Sequence, residues 1–317
     1  MRVVEVTAYG GPEVLRMARR PEPEAGDVPG RVRVRLRAAG VTMADLRIRA
    51  GLYADHMGDL RPPFVLGTDF AGRLLDPAPG EEATLPAGTR VAGFVPWYEE
   101  LTGEGTYAEV VQVAPEWLAP LPDDVEFPSA ASVPLAAITA HQGLGLAGLP
   151  AGATLLITGA SGVVGRFAVQ LASAAGLRVV AVSYEGDESE LKVLGAKECV
   201  PRGEPAEVVR AVRELVPEGV DGVFDGALLS TPALAALKDG GVFVSIAPDR
   251  VPASERDIRV EFERARSDPR LLTDILQKVG NRELITRVAD VLPLEEAAEA
   301  HRRAEAGHRP GRIVLMI

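Results

Sequence analysis

Three glycines recur at three-residue intervals in the stretch Thr158-Gly159-Ala160-Ser161-Gly162-Val163-Val164-Gly165. The apolar run Ala153–Ile157 precedes them and a helical pattern, Arg166–Ala175, follows. Glycines in a strand-to-helix turn let the backbone come close to a ligand and let the helix sit tightly on the strand. The unpaired N–H groups at the helix start then face an anion. The spacing is Gly-x-x-Gly-x-x-Gly, not the commoner Gly-x-Gly-x-x-Gly, so the flanking strand and helix carry the reading as much as the glycines do. Gly159, Ala160, Ser161, Gly162, Val163, Val164 and Gly165 are the candidate contacts to a dinucleotide pyrophosphate.

The second strand of this alternating region ends in Val182-Ser183-Tyr184. A carboxylate at that end bonds the ribose hydroxyls of NAD and repels the extra phosphate of NADP. Ser183 admits the phosphate, and Tyr184 adjoins it. Glu185, Asp187 and Glu188 follow, and Arg202, after the next strand, is the nearest candidate cation.

Other chemistries lack their residues. A catalytic Tyr and Lys four positions apart do not occur, because none of Tyr9, Tyr53, Tyr98, Tyr107 and Tyr184 has that lysine. Cys199 is the only cysteine, and His56, His141, His301 and His308 show no paired spacing, so zinc ligation is not expected. Cys199 reads as a small buried hydrophobe. His301 and His308 lie on a polar terminal helix and its turn and read as surface residues; His141, in an Ala-rich helix, reads as packed. Val163 stands where a nucleophile elbow requires glycine, and no Walker lysine follows the glycines. Direct hydride transfer remains, with the protein supplying position and a polar contact for a developing oxyanion.

The elements that position these residues fall into two patterns. Residues 1–120 are rich in short strands: RVRVRLRAAG alternates Arg with apolar residues, and Gly, Pro and Asp punctuate the runs after it. From Ala153 strands and helices alternate, which implies a parallel sheet covered on both faces. The helix Asp268–Gly280 is expected to close that unit, and GRIVLMI to return to the first. The fold class is α/β, a Rossmann doubly wound parallel sheet plus a β-rich domain. The expected boundaries are 1–122 with 285–317 for the β-rich domain and 123–284 for the dinucleotide-binding domain. The 317 residues carry a net charge of -11, which disfavours nucleic acid and anionic membranes as partners. No apolar run reaches membrane-spanning length and the first residues lack the core of a signal peptide, so a cytoplasmic location is expected.

Several segments in order resemble the zinc-independent medium-chain dehydrogenase/reductases, specifically the NADPH:quinone oxidoreductases. They are AAGVTMADLRIRAGLY (38–53), PFVLGTDFAGRLL (63–75), GTYAEVVQVAPEWLAPLPDDV (105–125), AASVPLAAITAHQGL (130–144), LLITGASGVVGRFAVQLASAAG (155–176) and GRIVLMI (311–317). The resemblance implies a GroES-like catalytic domain completed by the C-terminal strand, a Rossmann domain, and an active site in the cleft between them. Zinc-dependent relatives carry Cys after the first Gly-Val and Gly-His-Glu in the second motif; here Thr42 and Gly67-Thr68-Asp69 occupy those places. The resemblance makes Tyr53 the active-site tyrosine, Thr42 the replacement for an Asn that faces the nicotinamide, Thr139 a neighbour of the nicotinamide, and Ala247 a backbone contact to it. It departs at Arg47, where a second tyrosine is usual, at Asp187, where some members hold the 2′-phosphate with lysine, and at Arg202, where they have tyrosine.

From the residues, Tyr53 is a substrate contact, a packing residue or plain surface, Arg47 a contact to a polar substrate or an ion-pair partner of Asp45 or Asp69, and Trp97 and Tyr98 a stacking platform or a loop anchor. The expected activity is hydride transfer from NADPH, with NADH possible, to a quinone or an α,β-unsaturated carbonyl, with Tyr53 or water stabilising or protonating the oxyanion. The alternative is a catalytically weak NAD(P)H-binding redox sensor or structural module. A homodimer is expected, its sheet extended across subunits near Val242–Ile246.

Overall fold

The structure is a computed structural model that describes residues 1–80, 83–307 and 310–317; His308 and the side chains of His56 and Tyr98 lie outside what is described. The chain forms two compact units, Met1–Leu135 with Ser267–Ile317, and Ala136–Arg266.

The first unit begins with β1 (Arg2–Val6), antiparallel to β2 (Leu15–Arg19), and continues through β3 (Val32–Gly40) to α1 (Met43–Arg49). In β3 the alternation read from the sequence holds: Val32, Val34 and Leu36 are buried and the arginines between them face outward. β4 (Phe64–Val65) pairs with β1, and β5 (Asp69–Leu74) with β3 and with β6 (Arg90–Phe94). The short α2 (Trp97–Glu100), β7 (Val110–Val113), β8 (Leu118–Pro120) and α3 (Phe127–Ala130) follow, and α4 (Pro134–Ala147) starts at the boundary.

The second unit alternates as expected: β9 (Thr154–Thr158), α5 (Val163–Ala174), β10 (Arg178–Ser183), α6 (Glu188–Val193), β11 (Glu198–Pro201), α7 (Pro205–Leu215), β12 (Val220–Asp225), β13 (Leu237–Ser245) and β14 (Arg259–Phe262). Its sheet runs β11-β10-β9-β12-β13-β14 with every pair parallel. β9 is buried along its whole length, as a central parallel strand covered on both faces must be. Val242–Ile246 does not extend the sheet outward as expected. β13 is bonded on both sides, to β12 and β14, and the sheet's margins are β14 and β11.

The chain then returns to the first unit through α8 (Pro269–Gly280), β15 (Val288–Pro293), α9 (Ala297–Glu305) and β16 (Arg312–Met316). α8 sits with this unit and does not close the Rossmann sheet, because its buried residues Leu272, Ile275 and Leu276 belong to a helix packed against β8. β16 lies between β15 and β3, so the last strand completes the large sheet of β15-β16-β3-β5-β6-β8.

Candidate functional site

The glycine turn joins β9 to α5 with little room for side chains. Gly159 has φ +65°, and a Cβ there would lie 2.8 Å from the carbonyl carbon of Gly226. At Gly165 a Cβ would stand 2.2 Å from the oxygen of Gly159, so only glycine lets the first turn of α5 press onto the end of β9. Gly162 differs. A Cβ there meets one atom, the Gly159 oxygen at 3.2 Å, so the protein's own packing hardly explains it. It caps α5 with no side-chain bond, which leaves a bare backbone face where the helix presents its first N–H groups. Ala160 N–H donates to Val182 O (3.1 Å), and Tyr184 N–H donates to Ser161 Oγ (3.1 Å), tying the turn to the end of β10. Thr158 Oγ1 holds the other side, donating to buried Asp225 (2.5 Å) and accepting from Ala227 N–H (2.9 Å). Burial pushes the Asp225 carboxyl up, and the Thr158, Ser230 and Leu229 donors oppose that shift.

At the end of β10, Ser183 is buried with a hydroxyl that has no hydrogen-bond partner among the described residues. The Arg202 guanidinium lies over the Tyr184 ring, 4.3 Å from its centroid, and Arg202 N–H donates to Ser183 O (2.8 Å). Ser183, Tyr184 and Arg202 are thus brought together with the glycine turn. Asp187 is also buried here, with Oδ2 lacking a donor, and buried Arg166 pairs with Glu190 of α6.

Ala247 follows β13, its N–H donating to Ser245 Oγ (3.3 Å) and its oxygen accepting from that hydroxyl (3.0 Å). Thr139 is buried on α4, one turn before Gly143. Gly143 abuts the Phe224 ring and the side chain of Glu263, whose N–H donates to Ser245 O (2.8 Å). Glu263 was missed by sequence reasoning. It is 3% exposed, Oε1 has no donor, and burial alone pushes its carboxyl up to about 8. A carboxylate directly after a short strand gave no signal that it turns inward.

In the first unit Thr42 caps α1. Its N–H and hydroxyl both donate to Asp45 Oδ2, at 2.7 and 2.8 Å, and Asp45 N–H donates back to Thr42 Oγ1 at 3.1 Å. The T-x-x-D spacing is a capping box that could have been read from the sequence. Tyr107 Oη lies 3.4 Å from the same Oδ2 and 3.1 Å from His301 Nε2, and His301 Nδ1 lies 3.4 Å from Arg49 Nη1. His301 is therefore not a surface residue. It is fully buried on the inner face of α9, and burial together with Arg49 lowers it to about 3, leaving it neutral.

Among the described residues no ion pair joins Arg47 to Asp45 or Asp69. Asp45 is taken by the capping box and Tyr107, and Asp69 accepts from Leu135 N–H (2.8 Å) beside Arg312. The Arg47 guanidinium instead lies 5.1 Å from the centroid of the Tyr53 ring, which is half-buried against the core at the start of a 3-10 turn. Trp97 is fully buried, 5.4 Å from Phe64 between ring centroids, so it anchors its segment and offers no stacking platform. Cys199 is partly exposed, its thiol raised mainly by burial.

The comparisons with known proteins agree with this architecture. Residues 28–123 match the alcohol dehydrogenase GroES-like domain, and residues 194–315 match a zinc-binding dehydrogenase domain. Among solved structures, an NAD-dependent alcohol dehydrogenase is 32% identical with TM-score 0.85 and full coverage of both chains. The quinone oxidoreductase of Coxiella burnetii is 25% identical with TM-score 0.86, covering 100% of this chain and 99% of that one. A mycobacterial protein complexed with NADPH is 26% identical with TM-score 0.83, both chains covered fully. The first curated relatives are polyketide synthases, among them erythronolide synthase of Saccharopolyspora erythraea, 32% identical over 90% of this chain. The chain spans only 8% of that protein's length, and 8% and 5% of two others. The chain belongs to the medium-chain dehydrogenase/reductase family of oxidoreductases, with quinone oxidoreductases among its relatives. Among the described residues no helix is long and apolar enough to cross a membrane, and no group of His, Cys, Asp and Glu side chains is arranged to hold a metal ion.

Proposed function

We propose that the chain reduces a quinone or an α,β-unsaturated carbonyl with NADPH. The observation that carries this reading is the cradle around Gly162, a bare backbone face at a helix start that internal packing does not explain. Ser183 supports NADPH over NADH: where a ribose-binding carboxylate would repel a 2′-phosphate, it offers a buried hydroxyl without a partner among the described residues, with Arg202 close by. The NADPH complex of the mycobacterial neighbour supports the same cofactor. On this reading Gly159–Gly165 hold the pyrophosphate, Ser183, Tyr184 and Arg202 the adenosine end, and Thr139 and Ala247 the nicotinamide end. The bound cofactor supplies the hydride. Thr42 and Tyr53 meet the acceptor's oxygen, where a hydroxyl donor is worth most as charge develops.

The test is NADPH oxidation with a panel of quinones and conjugated enones, beside NADPH and NADH affinities from cofactor fluorescence. Turnover with either acceptor class and tighter binding of NADPH are expected. No turnover above background with any acceptor refutes the reductase reading, and equal affinities refute the cofactor preference.

A further inference from the structure

Asp45 and Asp69 are both fully buried in the first unit, and the reading above gives them no role. The groups that face them come from several elements. Thr42 meets Asp45 from the start of α1, Tyr107 from the loop before β7, and the Gly67 backbone from the loop before β5. Arg312 of β16 is the cation beside both: its Nη2 lies 3.4 Å from Asp69 Oδ2, and its Nη1 donates to Val41 O at 3.1 Å, next to Thr42. His301 stands behind Tyr107 and is neutral, and Arg49 behind it is paired with Glu305. Arg312 thus pairs with Asp69, and its charge also pulls on Asp45. Asp45 Oδ1 and Asp69 Oδ2 receive no hydrogen bond among the described residues. The charge of Asp45 in turn opposes that of Asp69, and two such carboxyls with little hydration do not readily both ionise at neutral pH.

The hydrogen-bond directions fix what this does to Thr42. Arg49 can only donate, so neutral His301 accepts at Nδ1 and carries its hydrogen on Nε2. It donates to Tyr107 Oη, and Tyr107 donates to Asp45. While Asp45 is a carboxylate, Thr42 spends its single hydroxyl hydrogen on Oδ2, so it can accept from a ligand but has nothing to give. A proton on Asp45 Oδ2 reverses that bond, and the Thr42 hydroxyl is released to donate.

We propose that Asp45 and Asp69 hold one proton between them over Arg312, and that Thr42 delivers this proton to the substrate oxygen in the reductive step. This rests on the reading that Thr42 meets the acceptor. Once hydride has added to the acceptor, its electron pair resides on the carbonyl oxygen. That oxygen takes the Thr42 hydroxyl proton as the O–H bond of Thr42 breaks, and Thr42 Oγ1 takes the proton of Asp45 Oδ2. Asp45 is left as a carboxylate and regains a proton from water before the next turnover. Asp45 acts through Thr42 and is a positioning residue; Thr42 touches the substrate. Burial pushes Asp45 up to about 6 against the Thr42 donors and Asp69 up to about 7 against Arg312, so the pair keeps a proton up to about those pH values and releases it above them.

The test has two arms on the full chain. Infrared difference spectra between neutral and alkaline pH, without cofactor, are expected to show, beside the Glu263 carboxyl, a protonated buried carboxyl that both Asp45→Asn and Asp69→Asn remove. Absence of that band overturns the shared proton. In turnover, kcat of the wild type is expected to fall about tenfold per pH unit above the transition. Asp45→Asn is expected to be slower but flat over that range, Thr42→Ser to keep the wild-type profile, and Thr42→Val to lose the rate at every pH. An unchanged pH profile in Asp45→Asn, or full activity in Thr42→Val, overturns delivery through Thr42. Should Asp45→Asn fail to fold, loss of the band in Asp69→Asn and the Thr42 pair decide. No turnover by the wild type with any acceptor refutes the reductase reading, and the delivery step with it, while the band still decides the shared proton.

Discussion

Glu263→Gln measures what one buried proton costs the fold. In the unfolded chain this carboxyl releases its proton near the usual glutamate value of 4.5; in the folded chain, buried beside Phe224 and Gly143, it keeps the proton to about 8. Between those values the folded state binds more protons than the unfolded one, so stability falls as pH rises. Each unit is worth about 1.4 kcal/mol, which makes the penalty about 3 kcal/mol at pH 7 and about 5 kcal/mol above pH 8. Glutamine is neutral in both states and removes this dependence. Its amide brings donors that themselves need partners, at about 1–3 kcal/mol, so the slope is more telling than the offset. Urea unfolding followed by circular dichroism, at pH steps from about 5 to 8, should show the stability of Glu263→Gln gaining about 4 kcal/mol on the wild type. A difference that stays constant with pH refutes the argument, because it means that Glu263 is ionised in the fold.

Three further outcomes are expected. His301 is held neutral, lowered from 6.5 to about 3, so below about pH 6.5 the unfolded chain binds a proton that the fold refuses. Wild-type stability should therefore fall on acidification, and His301→Gln should remove that part of the slope in the same urea assay; an unchanged slope refutes the neutral assignment. Gly165→Ala puts a methyl group 2.2 Å from Gly159 O and should cost about 1–3 kcal/mol while abolishing NADPH binding measured by cofactor fluorescence; wild-type affinity refutes the cradle. Ser183→Asp should weaken NADPH at least about tenfold and spare NADH, because the new carboxylate faces the 2′-phosphate. Equal loss of both cofactors places Ser183 elsewhere than at the adenosine ribose.

Much of the second unit was legible in the sequence because its signals are local. Glycine conformation, the alternation of apolar runs with helical stretches, and the bare position 162 each depend on neighbours a few residues away. Outcomes that depend on partners far along the chain were not legible. The polar helix containing His301 reads as a surface helix, yet its inner face meets Tyr107, 194 positions away. Trp97 sits in an aromatic, acidic stretch that suits an exposed loop, and becomes core only because Phe64 lies beside it. The capping box at Thr42 was available as spacing alone, but its consequence, a hydroxyl already committed to Asp45, follows from the distances.

The sequence by itself determined the class of fold: a glycine turn between a strand and a helix, followed by alternating strands and helices, beside a strand-rich first part. These follow from residue type and short-range spacing, which are properties of the covalent chain. Only the tertiary structure decided the protonation of the interior. Asp45, Asp69 and Arg312 come from α1, β5 and the last strand. The charge on each carboxyl is set by how much water the packed unit removes, against the Thr42 donors at Asp45 and the Arg312 guanidinium at Asp69.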